Sequence, residues 1–236
     1  MKTDDIISMY GKIDVGCDER LQLVRSFSDD RDMEIAAILC AWLSNGFSSE
    51  TQAMFRLIYT VMEGNPYRYI SEKHFNAIGS NGDYVVCGML TSKHMKALMN
   101  KIYECYDCMD SIHEAVSIVF EERKKYEVKY GHEALAMILG GGTMFPTKKS
   151  NETFYRYNLI SYLLSKSVPA WDLSISSHFL LPCNDEIFKK AHDIGIVSHR
   201  MKTSLSNTIS LTKKAKKIFG EEHFNMMYEL LKSDTI

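Results

Sequence analysis

From Asp32 to Gly46 the chain has an acidic helix start, Asp32-Met33-Glu34, running into Ile35-Ala36-Ala37-Ile38-Leu39-Cys40-Ala41-Trp42-Leu43 and stopping at Ser44-Asn45-Gly46. A surface helix keeps a polar face for water, whereas Glu34–Leu43 is apolar on nearly every side. Such a helix has to be enclosed by other elements, so the fold needs a core built around it. With 236 residues, 45% of them hydrophobic, the chain can bury a core of that size in one domain or two small interleaved ones.

The remaining pattern is helical. Met95, Leu98, Met99, Ile102, Tyr103 and Tyr106 recur at spacings of three and four, and Thr91 or Ser92 can cap their helix. Ser111 and Glu114 have capping-box spacing and open a helix bearing Ile112, Ala115, Val116, Val119 and Phe120. Residues 51–62 read as an amphipathic segment ended by Gly64 and Pro66, and a further helix is expected over about 152–165. Only 84–89 and 175–181 have the character of strands, and each is short. The expected class is all-α or nearly so.

No apolar run reaches membrane-spanning length, and the N-terminus is acidic with no signal core, which points to a cytoplasmic protein without a membrane partner. Of the six cysteines only Cys105 and Cys108 form a close pair. They fall three apart on a helix with no second pair to complete a four-ligand site, so they read as packing or surface thiols, and neither metal nor cofactor is expected.

A net charge of −2 conceals a local asymmetry. Residues 194–219 contain no acid but include Arg200, Lys202, Lys213, Lys214, Lys216 and Lys217, while Asp29, Asp30, Asp32 and Glu34 form an acidic stretch. A run of this kind is either a solvated helix face or a surface for phosphate. Lys148 and Lys149 follow the glycine-rich stretch 140–142 but lack phosphate-loop spacing. That loop is solvated, or it meets a nucleic-acid phosphate through backbone amides and two lysines.

Four blocks in order resemble the helical domain-of-unknown-function 2400 family of bacterial proteins. Asp32–Gly46 is similar to its early buried-helix block, and Asn65-Pro66-Tyr67-Arg68-Tyr69-Ile70 to its Pro-Tyr-x-x-Ile element. Tyr155-Arg156-Tyr157-Asn158 resembles its Lys-Arg-x-Asn element, and Leu180–Gly195 its Pro-Leu-Asp-Thr-His-Val block ending in Leu-Gly. That family in turn resembles the helix-hairpin-helix DNA glycosylases of the endonuclease III type. The resemblance implies a two-lobed helical fold, with residues 33–160 as the middle lobe and residues 1–32 plus 161–236 as the second. It also implies DNA as partner, gripped between the lobes near Lys148, Lys149, Tyr155, Arg156, Asn158, Lys213, Lys214 and Lys217.

In such enzymes a lysine attacks the sugar carbon, and an aspartate at a helix start stabilises the positive charge that builds there. Here the lysine position carries Tyr155, and the aspartate position carries Asn184, with Asp185 one residue later. One residue is about 100° of rotation on a helix, so Asp185 points elsewhere unless the backbone shifts with it. Asn184-Asp185-Glu186 also suits a plain N-cap with an acidic first turn. The hairpin glycines of the glycosylases and a C-terminal four-cysteine cluster are not recognisable. Three readings follow. The first is a DNA-binding protein of glycosylase-like fold with degenerate chemistry, linked to DNA repair. The second is an active monofunctional glycosylase using Asp185, and the third a helical protein-interaction module. The basic residues favour the first two over the third, and Tyr155 and Asn184 favour the first over the second.

Overall fold

The structure is a computed structural model that describes residues 3–11, 18–44, 56–87, 90–140, 153–171, 173–198 and 200–233. Its helices are α1 (Thr3–Tyr10), α2 (Glu19–Arg25), α3 (Asp30–Leu43), α4 (Pro66–Ser71), α5 (Ser92–Cys108), α6 (Ile112–Glu121), α7 (Gly131–Leu139), α8 (Tyr155–Ser165), α9 (Leu173–Ser176), α10 (Asp185–Asp193), α11 (Leu205–Phe219) and α12 (His223–Lys232). Among the described residues the only sheet is an antiparallel pair, β1 (Val85–Cys87) and β2 (Leu90–Thr91). The protein is therefore helical, as its periodicity requires.

Helix α3 is the centre. Asp29 caps it by accepting from the Arg31 amide at 2.9 Å, and every residue from Glu34 to Leu43 is buried. It packs against α2, α4 and most extensively α8. Helices α5, α6 and α7 close round the same core, while α1 and α10 pack with α11 and α12. Among the described residues no helix is long and apolar enough to cross a membrane.

The acidic start of α3 is not a solvated charge patch throughout. Asp32 Oδ1 accepts the Tyr67 amide at 2.7 Å in the first turn of α4. Burial raises the Asp32 pKa, partly offset by that amide. Glu34, 1% exposed, accepts four donors. Its Oε2 takes the Tyr106 hydroxyl and the Ile112 amide, each at 2.8 Å. Its Oε1 takes the His113 amide at 2.9 Å and the Trp171 indole N–H at 3.0 Å. Ile112 and His113 begin α6, and Ser111 caps the next free amide, that of Glu114, at 3.0 Å. A carboxylate at a helix N-terminus answers both the orphan amides and the dipole, which offsets its desolvation.

Two sequence expectations need correction. Residues 175–181 do not form a strand: the segment leaves α9 through a turn and runs on without a ladder. Its backbone donors go instead to side chains, Leu180 N to Asn158 Oδ1 and Leu181 N to Thr212 Oγ1, each at 3.1 Å. The described end of the 51–62 segment, Leu57–Val61, is a π-helix turn. Pro66 opens α4 at its first position, where the missing N–H costs nothing. Thr91 and Ser111 cap α5 and α6 as their spacing predicts.

Glu34→Ala is expected to lower the unfolding free energy by about 3 kcal/mol, since it removes the acceptor of four donors, two of them buried. Tyr106→Phe removes one donor and should cost about 1 kcal/mol. Urea unfolding of the two variants checks this, and an Ala variant within 1 kcal/mol of the parent contradicts the assigned role of Glu34.

Candidate functional site

Helix α8 starts from an unusual residue. Phe154, its N-cap, has φ 53 and ψ 33, a left-handed conformation that a bulky side chain pays about 1–2 kcal/mol to adopt. The ring is held by packing. It stacks on His132 with centroids 4.1 Å apart and planes 25° apart, and His132 stacks in turn on Tyr130 at 5.5 Å and 12°. Burial pushes the His132 imidazole down to about 4, so it is neutral at ordinary pH. Both its ring nitrogens are buried and make no hydrogen bond among the described residues.

Asn158, one turn into α8, is wholly buried. Its Nδ2 donates to the carbonyls of Thr153 at 3.2 Å and Phe154 at 3.1 Å, and its Oδ1 takes the Leu180 amide. The Thr153 hydroxyl donates to the Cys183 carbonyl. These bonds lock the start of α8 against the segment 180–184. Thr212 of α11 holds the same segment from its other side, its hydroxyl also donating to Thr208 O at 2.9 Å. Burial pushes the Cys183 thiol up to about 12, so it is protonated and inert. Asn184 then caps α10, accepting the Ile187 amide at 2.9 Å, and Asp185 and Glu186 stand exposed in the first turn.

Arg156 joins the third block. It is buried, and its Nε donates to the carbonyl of Ser44, the residue that ends α3, at 3.2 Å. Arg20 approaches the Ser44 hydroxyl at 3.4 Å while gripping Asp18 through Nε at 3.0 Å and Nη2 at 2.9 Å. Lys232 also pairs with Asp18. Burial alone would raise the Asp18 carboxyl, but the Arg20 hydrogen bonds and charge, with Lys232, outweigh it and bring the pKa from 3.8 down to about 2. Tyr155 is half-buried and lies against Tyr228 of α12, whose phenol burial pushes upward.

The residues singled out in the sequence thus fall into three sets. Tyr155, Arg156, Asn158, Asn184 and Asp185 are brought to one region. There Arg156 and Asn158 bond within the protein, and Asp185 faces water. On α11, Lys213 and Lys217 are exposed one turn apart, while Lys214 is half-buried and donates to the Ile196 carbonyl. Lys148 and Lys149 lie outside the described residues. Cys105 is buried and Cys108 exposed, and among the described residues no group of three or more potential ligands is placed to hold a metal.

Sequence reasoning missed Gly131 and the Asp18–Arg20 pair. A Cβ on Gly131 would sit 2.2 Å from the Phe179 ring, so α7 can approach the 178–184 segment only through a glycine. Its amide donates to the His178 carbonyl at 2.8 Å. For the pair, the adjacent sequence Asp18-Glu19-Arg20 carried only a helix-start signal.

A family model described as "Protein of unknown function (DUF2400)" matches residues 20–232. No curated protein and no solved structure matches the chain.

Two measurements test this geometry. Asn158→Ala strands the buried Leu180 amide and two carbonyls, and should cost about 2–3 kcal/mol in urea unfolding. Asp18 has a depressed folded pKa, so its contribution, about 2 kcal/mol, is complete above pH 3.8 and is lost as the pH falls through about 2. Asp18→Asn should therefore flatten stability against pH between about 4 and 2, and an unchanged profile in that window contradicts the assignment.

Proposed function

The chain belongs to the DUF2400 family of proteins of unknown function, and we propose that it is a DNA-binding protein with a glycosylase-like two-lobed fold and degenerate chemistry, linked to DNA repair. The observation that carries this reading is the meeting of three separated sequence blocks. Ser44 at the end of α3, Arg156 and Asn158 at the start of α8, and the 180–184 segment are tied together by buried hydrogen bonds. In this reading the chain divides into residues 33–160 and residues 1–32 plus 161–236, with α1, α11 and α12 packed together in the second part and α2 packed on α3 across the division. Lys213 and Lys217 supply exposed charge for phosphate.

Weakened chemistry is supported at two positions. Tyr155 has no amine, so it forms no Schiff base with an abasic-site aldehyde. Asp185 is exposed, and a carboxylate in water stabilises a developing sugar cation far less than one in a dry, preorganised site.

Fluorescence anisotropy with duplex DNA, intact or carrying one abasic site, tests the reading at two salt concentrations. Tighter binding to the abasic duplex is expected, and Lys213→Glu with Lys217→Glu should reduce the salt slope by roughly one per lost phosphate contact. No excision of uracil, 8-oxoguanine or alkylated bases is expected from the parent. Excision by the parent that disappears in Asp185→Asn would instead establish an active glycosylase, and absence of binding to either duplex would end the DNA reading.

A further inference from the structure

We propose that the stack of Tyr130, His132 and Phe154 is an acid-opened latch on the first turn of α8, released when His132 takes up a proton. The inference does not depend on DNA binding. It concerns what holds Tyr155, Arg156 and Asn158 in place.

His132 lies in the first turn of α7 and is 1% exposed. Phe154 stacks on it at 4.1 Å and Tyr130 at 5.5 Å, and both of these rings are half-buried. Neither imidazole nitrogen has a hydrogen-bond partner among the described residues. A phenylalanine would fill the same place without a polar atom. What the imidazole adds is a group that can be protonated, and inside the stack the proton meets no acceptor. Aromatic faces attract a cation, but they do not replace the two hydrogen bonds that an imidazolium makes in water. The proton is therefore taken up once the ring has left the stack.

The two helices joined by the stack are held unequally. The start of α7 is bonded through its backbone: Glu133 Oε2 accepts the Lys129 and Tyr130 amides at 2.7 and 2.8 Å, and the Gly131 amide donates to the His178 carbonyl at 2.8 Å. Helix α8 starts from Phe154, which makes no side-chain cap bond and has a left-handed backbone. Its hold is the stack, together with Asn158 Nδ2 on the carbonyls of Thr153 and Phe154. The stack gives way on the α8 side, at a residue whose release also relieves a sparsely populated backbone conformation.

Helices α5, α6 and α8 pack on α7. Among the described residues the charged group that acts on His132 is Glu133 of its own helix, which favours the proton but is outweighed by burial. Lys129 lies over the Tyr130 ring at 5.3 Å, and Arg156 of α8 is bonded to the Ser44 carbonyl. The Tyr157 phenol donates to the Gly140 carbonyl at 2.6 Å, and the His178 ring stacks on Phe120 of α6. None of these bonds either nitrogen of His132. Burial thus holds the imidazole at about 4 in the closed stack, against 6.5 in water. A depressed folded pKa leaves the closed state at full strength above 6.5 and weakens it as the pH falls towards 4. The ratio of open to closed latch should rise about 30-fold from about pH 7.5 to about pH 5.

Amide hydrogen exchange followed by NMR at those two pH values tests the latch. The Asn158 amide, bonded to the Phe154 carbonyl at 3.0 Å, should lose about 30-fold in protection factor, while the Leu39 amide inside α3 keeps its own. In His132→Phe the Asn158 protection factor should stay level between the two pH values. The imidazole resonances of the parent, which require no variant, should titrate near 4. Four results would each overturn the inference: a His132 ring that titrates at about 6.5 in the folded protein, an Asn158 protection factor that does not change, an equal loss at Leu39, or a His132→Phe variant that keeps the pH dependence.

Discussion

The carboxylate of Glu34 is the contact on which the core is hung. It lies on α3, buried from Glu34 to Leu43, and receives the ends of three other parts of the chain: Tyr106 near the end of α5, the first two amides of α6, and the indole of Trp171. The Ile112 amide and the Trp171 indole are buried, and the Tyr106 hydroxyl and the His113 amide are partly so. An unpaired carboxylate in that position would be intolerable, and so would four unpaired donors without it. Because the partners satisfy one another only together, the interaction specifies how α3, α5 and α6 meet. Asp32, two residues earlier, does the same for α4 on a smaller scale by accepting the Tyr67 amide.

Helix α8 carries that order to the candidate site. It is the most extensive packing partner of α3, so its register is set by the core. Its first turn is bent into place by Phe154, whose left-handed backbone is offset by stacking on a buried neutral histidine. Asn158 then converts the register of α8 into the position of 180–184, and Asn184 hands that position to α10. The framework around the site is held by buried hydrogen bonds between α8, the 180–184 segment and α11. What it presents there is a half-buried tyrosine, Tyr155, and an exposed aspartate, Asp185.

Electrostatics divide along similar lines. Charges that the fold needs are paired across elements: Asp18 with Arg20 and Lys232, and Glu229 with Lys166 and the Tyr10 hydroxyl. These tie the N-terminal helices to α12. Lys214 is likewise drawn inward to the Ile196 carbonyl, so the basic run on α11 is thinner at the surface than its composition suggests. Lys213, Lys216 and Lys217 remain outside.

The sequence by itself determined whatever depends on neighbours within about one helical turn. The apolar surround of Glu34–Leu43 required a central helix, and Ser111, Thr91 and Asn184 marked helix starts that the structure places where their side chains can cap. Four short blocks were enough to place the chain in its family. Tertiary structure alone decided the partners of those residues. Glu34 looked like one more charge in an acidic helix start, because its donors lie 72 to 137 residues away. Residues 175–181 looked like a strand because an apolar run shows the need for burial but not what will take its amides, and Asn158 and Thr212 took them. A cap or a period is fixed by the spacing of adjacent residues, whereas the pairing of a buried polar group is fixed by which helices the packed core brings alongside it.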